Sequence, residues 1–270
     1  MRIGFIGTGN MGGAILSGYI NSGAAEGNEI LVCDQNEETK KHLKEEFADI
    51  SLYENADYLV KNADIAVVGV KPQIIGSVLE GFKGAYSNEK LIVSMAAGIK
   101  IEFIEKILGE DAQIIRIMPN TPAKVGEAMT AVCRNKNTSE RNFEEAIKIF
   151  TSVGRAEEED EELIDCVTGV SGSSPAYTYM YIEALAKGAV ENGMSEEKAK
   201  IFAAQSVLGA AKMALESDES LEQLRINVCS PNGTTIEAVN KLMENGFMDK
   251  VREGFQAAVD RSIEMSEEKR

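Results

Sequence analysis

Residues 3–12 read Ile3-Gly4-Phe5-Ile6-Gly7-Thr8-Gly9-Asn10-Met11-Gly12. A short apolar run closes on G-x-G-x-x-G, and a helical pattern near Met11–Ser22 follows. The glycine spacing alone is weak, but between a strand and a helix it has the context of a dinucleotide fingerprint. Gly7 permits a tight turn, Gly9 lets the backbone approach a pyrophosphate, and Gly12 lets helix and strand pack closely. The helix start adds unpaired N–H groups and the positive end of its dipole. A ligand-free glycine turn is the competing reading of the same residues.

Outward from this stretch, short apolar runs alternate with helical patterns. Strands are expected at Arg2–Ile6, Glu29–Cys33, Ile65–Val70, Leu91–Ser94 and Ile114–Ile117. Several are nearly all apolar, as a parallel sheet covered on both faces requires. Helices are expected near Met11–Ser22, Glu37–Phe47, Ile74–Glu80, Ile101–Leu108 and Glu140–Phe150. The alternation implies βαβ units and an α/β domain over residues 1–160.

The character changes after the acidic run Glu157–Glu162, which on its own reads as a solvated face. Helical spacing then covers Ala176–Glu191, Glu196–Glu216, Thr235–Glu244 and Met248–Glu268, with Gly193 as a stop and Ser195 as an N-cap. Residues 161–270 are therefore expected to be all-α. Small residues such as Ala184, Gly188, Ala203 and Gly209 let these helices approach closely, which fits burial against a second subunit or a self-contained helical bundle.

The chain has 270 residues, with 28 Lys and Arg against 44 Asp and Glu, a net charge of −16. That balance argues against nucleic acid and anionic membranes as main partners. An anionic metabolite sees only its own pocket and is not excluded. The first apolar run stops at Gly7, and the longest other one, Leu91–Ile99, is about half a membrane span. A soluble, cytoplasmic protein is expected. Cys33, Cys133, Cys166 and Cys229 are scattered, form no C-x-x-C pair and read as reduced thiols. With one histidine and no cluster of ligand-type residues, no metal site is expected.

Asp34 ends the second strand. An acidic residue there accepts from the adenosine ribose 2′-hydroxyl and repels a 2′-phosphate, which favours NADH over NADPH. It is equally a candidate cap for the helix near Glu37. Gly69-Val70-Lys71-Pro72 and Ala96-Ala97-Gly98 end two further strands, where open α/β sheets bind ligands. Pro72 suits the first turn of the next helix, and Lys71 reaches a phosphate or stays solvated. Cys229-Ser230-Pro231-Asn232-Gly233-Thr234-Thr235-Ile236-Glu237 precedes a helix, and Thr234 with Glu237 fits a capping box. Its backbone N–H groups and two hydroxyls make a receptor for a small carboxylate, or only a cap. Val170–Pro175 is a second small-residue turn, before the helix from Ala176. His42 falls on a surface helix, which removes histidine general-base catalysis.

The residues now resemble a family, the pyrroline-5-carboxylate reductases. The matching segments are Gly4–Gly12 (GFIGTGNMG), Val70–Pro72, Ser94–Gly98, Met118–Ala123 (MPNTPA), Val167–Tyr177 (VTGVSGSSPAY), Ala203–Gln205 with Gly209–Met213, and Val228–Ala238 (VCSPNGTTIEA). The resemblance implies an N-terminal Rossmann-like domain and a C-terminal all-α dimerisation domain. It implies a homodimer with interlocked helical domains, and a ring-shaped decamer of five dimers. The activity it implies is hydride transfer from NADPH or NADH to the imine carbon of 1-pyrroline-5-carboxylate, giving L-proline. The implied cofactor residues are Ile6, Gly7, Thr8, Gly9, Asn10, Met11, Asp34, Asn55, Gly69, Val70, Lys71, Pro72, Ala97 and Asn227. The implied substrate residues are Ser230, Gly233, Thr234 and Thr235 with Glu161 nearby, and Thr235 carries the catalytic hydroxyl.

Two positions depart from the family pattern. Asn232 stands where a glycine is usual, and asparagine tolerates a left-handed backbone better than most residues. Asp34 stands where many relatives have a small or hydroxyl residue suited to NADPH. A β-hydroxyacid dehydrogenase would need a lysine soon after Gly169–Ser174, and none precedes Lys187. A non-catalytic NAD(P)-binding sensor is the alternative of a different class, and the intact Ser230 and Thr234–Thr235 speak against it.

Overall fold

The computed structural model describes residues 1–267. Its contacts divide the chain into two units, one of Met1–Ser173 with the stretch from Ala258 on, the other of Ser174–Ala257.

Unit 1 runs β1 (Arg2–Ile6), α1 (Asn10–Asn21), β2 (Glu29–Cys33), α2 (Glu37–Glu46), β3 (Ser51–Leu52), α3 (Ala56–Asn62), β4 (Ile65–Val68), α4 (Ile75–Phe82), β5 (Leu91–Ser94), α5 (Ile101–Leu108), β6 (Gln113–Met118), β7 (Ala128–Arg134), α6 (Glu140–Thr151), β8 (Gly154–Glu158) and α7 (Ile164–Val167). Its one sheet has the order β3-β2-β1-β4-β5-β6-β7-β8. Pairing is parallel throughout except between β6 and β7. The order reverses between β1 and β4, the switch point at which such sheets bind ligands.

Alternate strand residues feed two apolar cores. Ile3, Phe5 and Val67 face α1 and α6, where Ile15, Leu16, Phe143 and Phe150 are buried. Leu31, Ala66 and Val68 face α3, α4 and α5, where Leu59, Leu79, Phe82 and Ile104 are buried. Both faces being covered explains the unbroken apolar strands. On the second face the absent side chain of Gly4 makes room, since a Cβ there would collide with Leu59.

Unit 2 is helical, with α8 (Ser174–Glu191), α9 (Glu196–Glu216), α10 (Leu221–Val228), α11 (Thr234–Glu244) and the first part of α12 (Phe247–Glu267). The expected end of the last helix at Glu268 lies outside the described residues. Among the described residues no helix is long and apolar enough to cross a membrane.

Several expected elements change. Strands β3, β7 and β8 and helices α3, α7 and α10 are additional. Two of the six residues of the Glu157–Glu162 run, Glu157 and Glu158, belong to β8. There Glu158 ion-pairs with Arg134 of β7 at 2.7 Å, and that guanidinium stacks on Phe143. Strand β4 stops at Val68 instead of Val70. Val170–Pro175 is not an open turn: a π-turn over Thr168–Gly172 leads almost directly into α8.

Candidate active site

A cavity of about 990 Å³ opens at the carboxyl ends of β1, β2, β3 and β4. Ile6, Gly7, Gly9, Asp34, Asn55, Gly69, Val70 and Lys71 all line it. Gly7 has φ +83°, which only glycine adopts freely. A Cβ on Gly12 would strike the Gly7 carbonyl oxygen, whereas one on Gly9 would meet nothing within 4 Å. So Gly12 serves packing and Gly9 leaves the backbone open to a ligand. Helix α1 starts at Asn10 with Gly9 as its N-cap, no side-chain cap and no acidic residue in its first turn. Its amide groups and dipole are free to meet a phosphate.

Asp34 is held in place by its neighbours. Its Oδ2 accepts from the Thr8 amide at 2.6 Å and the Thr8 hydroxyl at 3.0 Å, and its Oδ1 accepts from the Asn36 amide at 2.8 Å. The N-cap of α2 is Asn36, which accepts from Glu38 and Thr39, so Asp34 is not the cap. A carboxylate has about four acceptor sites, which leaves capacity for a ribose hydroxyl. Asn55 caps α3, accepting from the Tyr58 amide at 3.0 Å.

The remaining expected cofactor residues sit elsewhere. Thr8 and Asn10 line a second groove of about 710 Å³ along α1. Met11 packs on the first core. Pro72 falls in the turn before α4, three residues short of the helix, and is not in its first turn. Ala97 follows β5 and is half-buried. Asn227 lies on α10 in unit 2, where its amide accepts from Gln223 and donates to Glu219, both at 2.8 Å.

In unit 2 the chain turns sharply before α11. The Gly233 amide donates to the Ser230 carbonyl at 3.0 Å, and Asn232 holds φ +59°. The asparagine at this position therefore does adopt the left-handed backbone. The expected capping box does not form: Gly233 is the N-cap, without a side-chain cap, and Thr234 is already helical. A Cβ on Gly233 would run into the Ser230 hydroxyl, so a larger residue there would turn that side chain aside. The first amides of α11 are left without a side-chain cap, next to Ser230, Thr234 and Thr235.

Glu161 has other partners than those expected of it. Its Oε1 accepts from Arg116 at 2.9 Å and from the Ile101 amide at 2.8 Å. It thus neutralises an arginine that is 3% exposed and caps α5, whose own N-cap Lys100 supplies no side-chain bond. Among the described residues no group of three or more His, Cys, Asp or Glu is placed to hold a metal ion.

Comparison with known proteins places these features. Residues 161–265 match the family described as pyrroline-5-carboxylate reductase dimerisation, and residues 2–98 match NADP oxidoreductase coenzyme F420-dependent. The pyrroline-5-carboxylate reductase of Escherichia coli K12 is 43% identical over 98% of each chain. The pyrroline-5-carboxylate reductase structure from Coxiella burnetii superposes with TM-score 0.91 at 35% identity, over 98% of both chains. The Plasmodium falciparum pyrroline carboxylate reductase, solved with NADP bound, gives 0.87 at 32%, again over 98% of both. The chain belongs to the pyrroline-5-carboxylate reductase family.

Two residues of this pyrroline-5-carboxylate reductase fold escaped the sequence reading. Arg116 is a buried cation inside an apolar strand, a visible anomaly with no visible partner. Asn120 is 93% buried by its 7% exposure, donates to the Ser171 carbonyl at 3.0 Å and accepts from the Met129 amide at 2.9 Å. It ties the Met118–Ala123 motif to the π-turn through which the chain leaves unit 1. The motif was legible, but its bonding partner 51 residues away was not.

Proposed function

We propose that this chain reduces the imine of 1-pyrroline-5-carboxylate to the secondary amine of L-proline. The observation that carries the reading is the Ser230–Thr235 turn with the uncapped N-terminus of α11. The amides of Gly233, Thr234 and Thr235 take the substrate carboxylate, and the Ser230 and Thr234 hydroxyls flank it. The Thr235 hydroxyl hydrogen-bonds the ring nitrogen. A threonine is a poor acid, so water or the already protonated imine provides the proton. Glu161 serves through Arg116, holding the stretch that precedes the π-turn.

The glycine loop fits a dinucleotide, because Gly9 is open on its cavity side and α1 lacks a cap. Ile6, Gly7, Gly9, Asp34, Asn55, Gly69, Val70 and Lys71 hold it directly. Thr8, Asn10, Met11, Pro72, Ala97 and Asn227 complete the set carried over from the family. Bound there, the reduced nicotinamide supplies the hydride for the imine carbon, and a proton on nitrogen balances the reduction. The pinned Asp34 supports NADH over NADPH. The NADP-bound Plasmodium relative keeps NADPH as the competing choice. The working form is a homodimer in the cytosol, assembled as five dimers in a decamer.

The test is initial-rate oxidation of NADH and of NADPH with pyrroline-5-carboxylate, using wild type, Asp34→Ser and Thr235→Ala. The expected result is NADH preference that relaxes in Asp34→Ser, and a loss of at least about tenfold in kcat for Thr235→Ala. Equal or better use of NADPH by wild type refutes the cofactor choice. Undiminished turnover in Thr235→Ala refutes its role. Binding of NADH without any turnover would favour the sensor.

A further inference from the structure

We infer that Glu54 is a second specificity-determining residue, which acts beside Asp34 to exclude a dinucleotide carrying a 2′-phosphate. The inference rests on the cofactor reading above and extends it to a residue outside the fingerprint.

The placement follows from strand register. Strands β2 and β3 pair in parallel with Val32 opposite Leu52, and the Tyr53 amide continues the ladder to the Val32 carbonyl at 2.8 Å. Extending that register two residues past its last pair, beyond the ends of both strands, sets Asp34 level with Glu54. Both line the same cavity, at the carboxyl ends of neighbouring strands. Asp34 is fixed by Thr8 and Asn36, whereas Glu54 is exposed and has no ion-pair partner among the described residues.

The charge around this end of the cavity is one-sided. Among the described residues Lys71 is the only lysine or arginine that lines the cavity, and it follows β4, two strands and roughly 10 Å away from β2. Lys40 on α2 feels the Glu54 charge, but its ammonium is committed to Glu37 at 2.6 Å. A ribose 2′-hydroxyl meets two acceptors here at no electrostatic cost. A 2′-phosphate would meet two carboxylates with no lysine or arginine lining this end of the cavity among the described residues, an arrangement that discriminates by repulsion. Asp57 also lines the cavity but stands in the first turn of α3, out of register with Asp34.

The test is direct binding of NADH and of NADPH, followed by quenching or enhancement of cofactor fluorescence, for wild type, Glu54→Gln and Asp57→Asn. Glu54→Gln is expected to lower the NADPH Kd about threefold to tenfold and to leave the NADH Kd within about twofold. The wild-type NADPH Kd should also depend more steeply on salt than that of Glu54→Gln. An unchanged NADPH to NADH ratio in Glu54→Gln overturns this inference alone. An equal gain in Asp57→Asn overturns it too, since that reports the overall charge of the cavity and not the placement of Glu54. Tighter NADPH than NADH binding by wild type overturns it together with the cofactor choice. Turnover is assayed separately, so a failed reductase reaction is distinguishable from a failed binding result.

Discussion

Thr8 and Asp34 are joined twice: the amide and the hydroxyl of Thr8 both donate to one oxygen of Asp34, at 2.6 and 3.0 Å. The contact spans 26 residues and ties the glycine-rich loop after β1 to the end of β2. Asp34 is therefore a part of the loop's architecture, whatever it binds besides. Thr8→Val keeps the amide bond and loses the hydroxyl bond. It should cost about 1 kcal/mol in urea denaturation at unchanged m-value and weaken NADH binding at least about threefold. Unchanged stability and unchanged Kd would show that the loop holds its shape without the second bond.

The Arg116–Glu161 pair predicts a larger loss. Glu161→Ala leaves a guanidinium that is 3% exposed without its carboxylate, and removes the cap of α5. Breaking a fully buried pair costs about 3–5 kcal/mol. The Glu161 side chain keeps 27% exposure, so water compensates in part and about 2–3 kcal/mol is expected. Glu161→Gln retains an acceptor for the Ile101 amide and should lose less. Denaturant midpoints of the two variants check the order, and an equal loss would contradict it.

Burial pushes the Cys133 thiol up from its ordinary 9.0 to about 12, only partly countered by Arg116. The folded chain thus holds a proton that the unfolded chain releases first. The associated stability is complete below about pH 9 and is lost as pH rises toward about 12. Between pH 9 and 11, Cys133→Ala should lose stability less steeply than wild type, by up to about 1.4 kcal/mol per pH unit. In native protein at pH 8, iodoacetamide should modify the exposed Cys166 well before the buried Cys33 and Cys133. Early labelling of Cys133 would contradict its burial.

Helices α8 and α9 carry exposed apolar side chains that a single chain leaves wet. Met180, Phe202, Met213 and Leu215 are each 60% exposed or more. Several large apolar side chains exposed on two helices point to an interface, and this region matches the reductase dimerisation family. Sedimentation velocity should show a dimer or a multiple of it. Phe202→Asp should shift the mass to the monomer and lower turnover at least about tenfold. A monomeric wild type would refute the arrangement.

The α/β plan and the dinucleotide loop were legible because each is a local pattern. Strands β1, β2 and β5 are buried on both faces apart from the first residues of β1 and β2, so burial writes itself into nearly every residue. Gly7 and Gly12 are demanded by backbone geometry within ten residues, and Gly9 leaves the loop open beside them. Helices α5 and α9 fall on the residues their spacing indicated. What escaped lies where that signal is diluted. Strand β3 has two residues, and β8 is an edge strand of sequence GRAEE with little to bury. The short helices α3 and α10 span about two turns each.

Other features have no local signature at all, because they depend on partners far along the chain. The Gly233 cap displaced the capping box expected from Thr234 and Glu237, since the Ser230–Gly233 bond and the left-handed Asn232 set where α11 starts. Glu161 reads as one more carboxylate in an acidic run until the fold brings it to Arg116, 45 residues away, and to Ile101, 60 residues away. The meeting of Asp34 and Glu54 at one cavity depends on the pairing of β3 with β2, fixed by hydrogen bonds between separate strands. Sequence determined which segments bury apolar surface and where glycine is indispensable, because those needs act within a few residues. Only the tertiary structure decided which charges meet, because such partners are chosen by packing between distant segments.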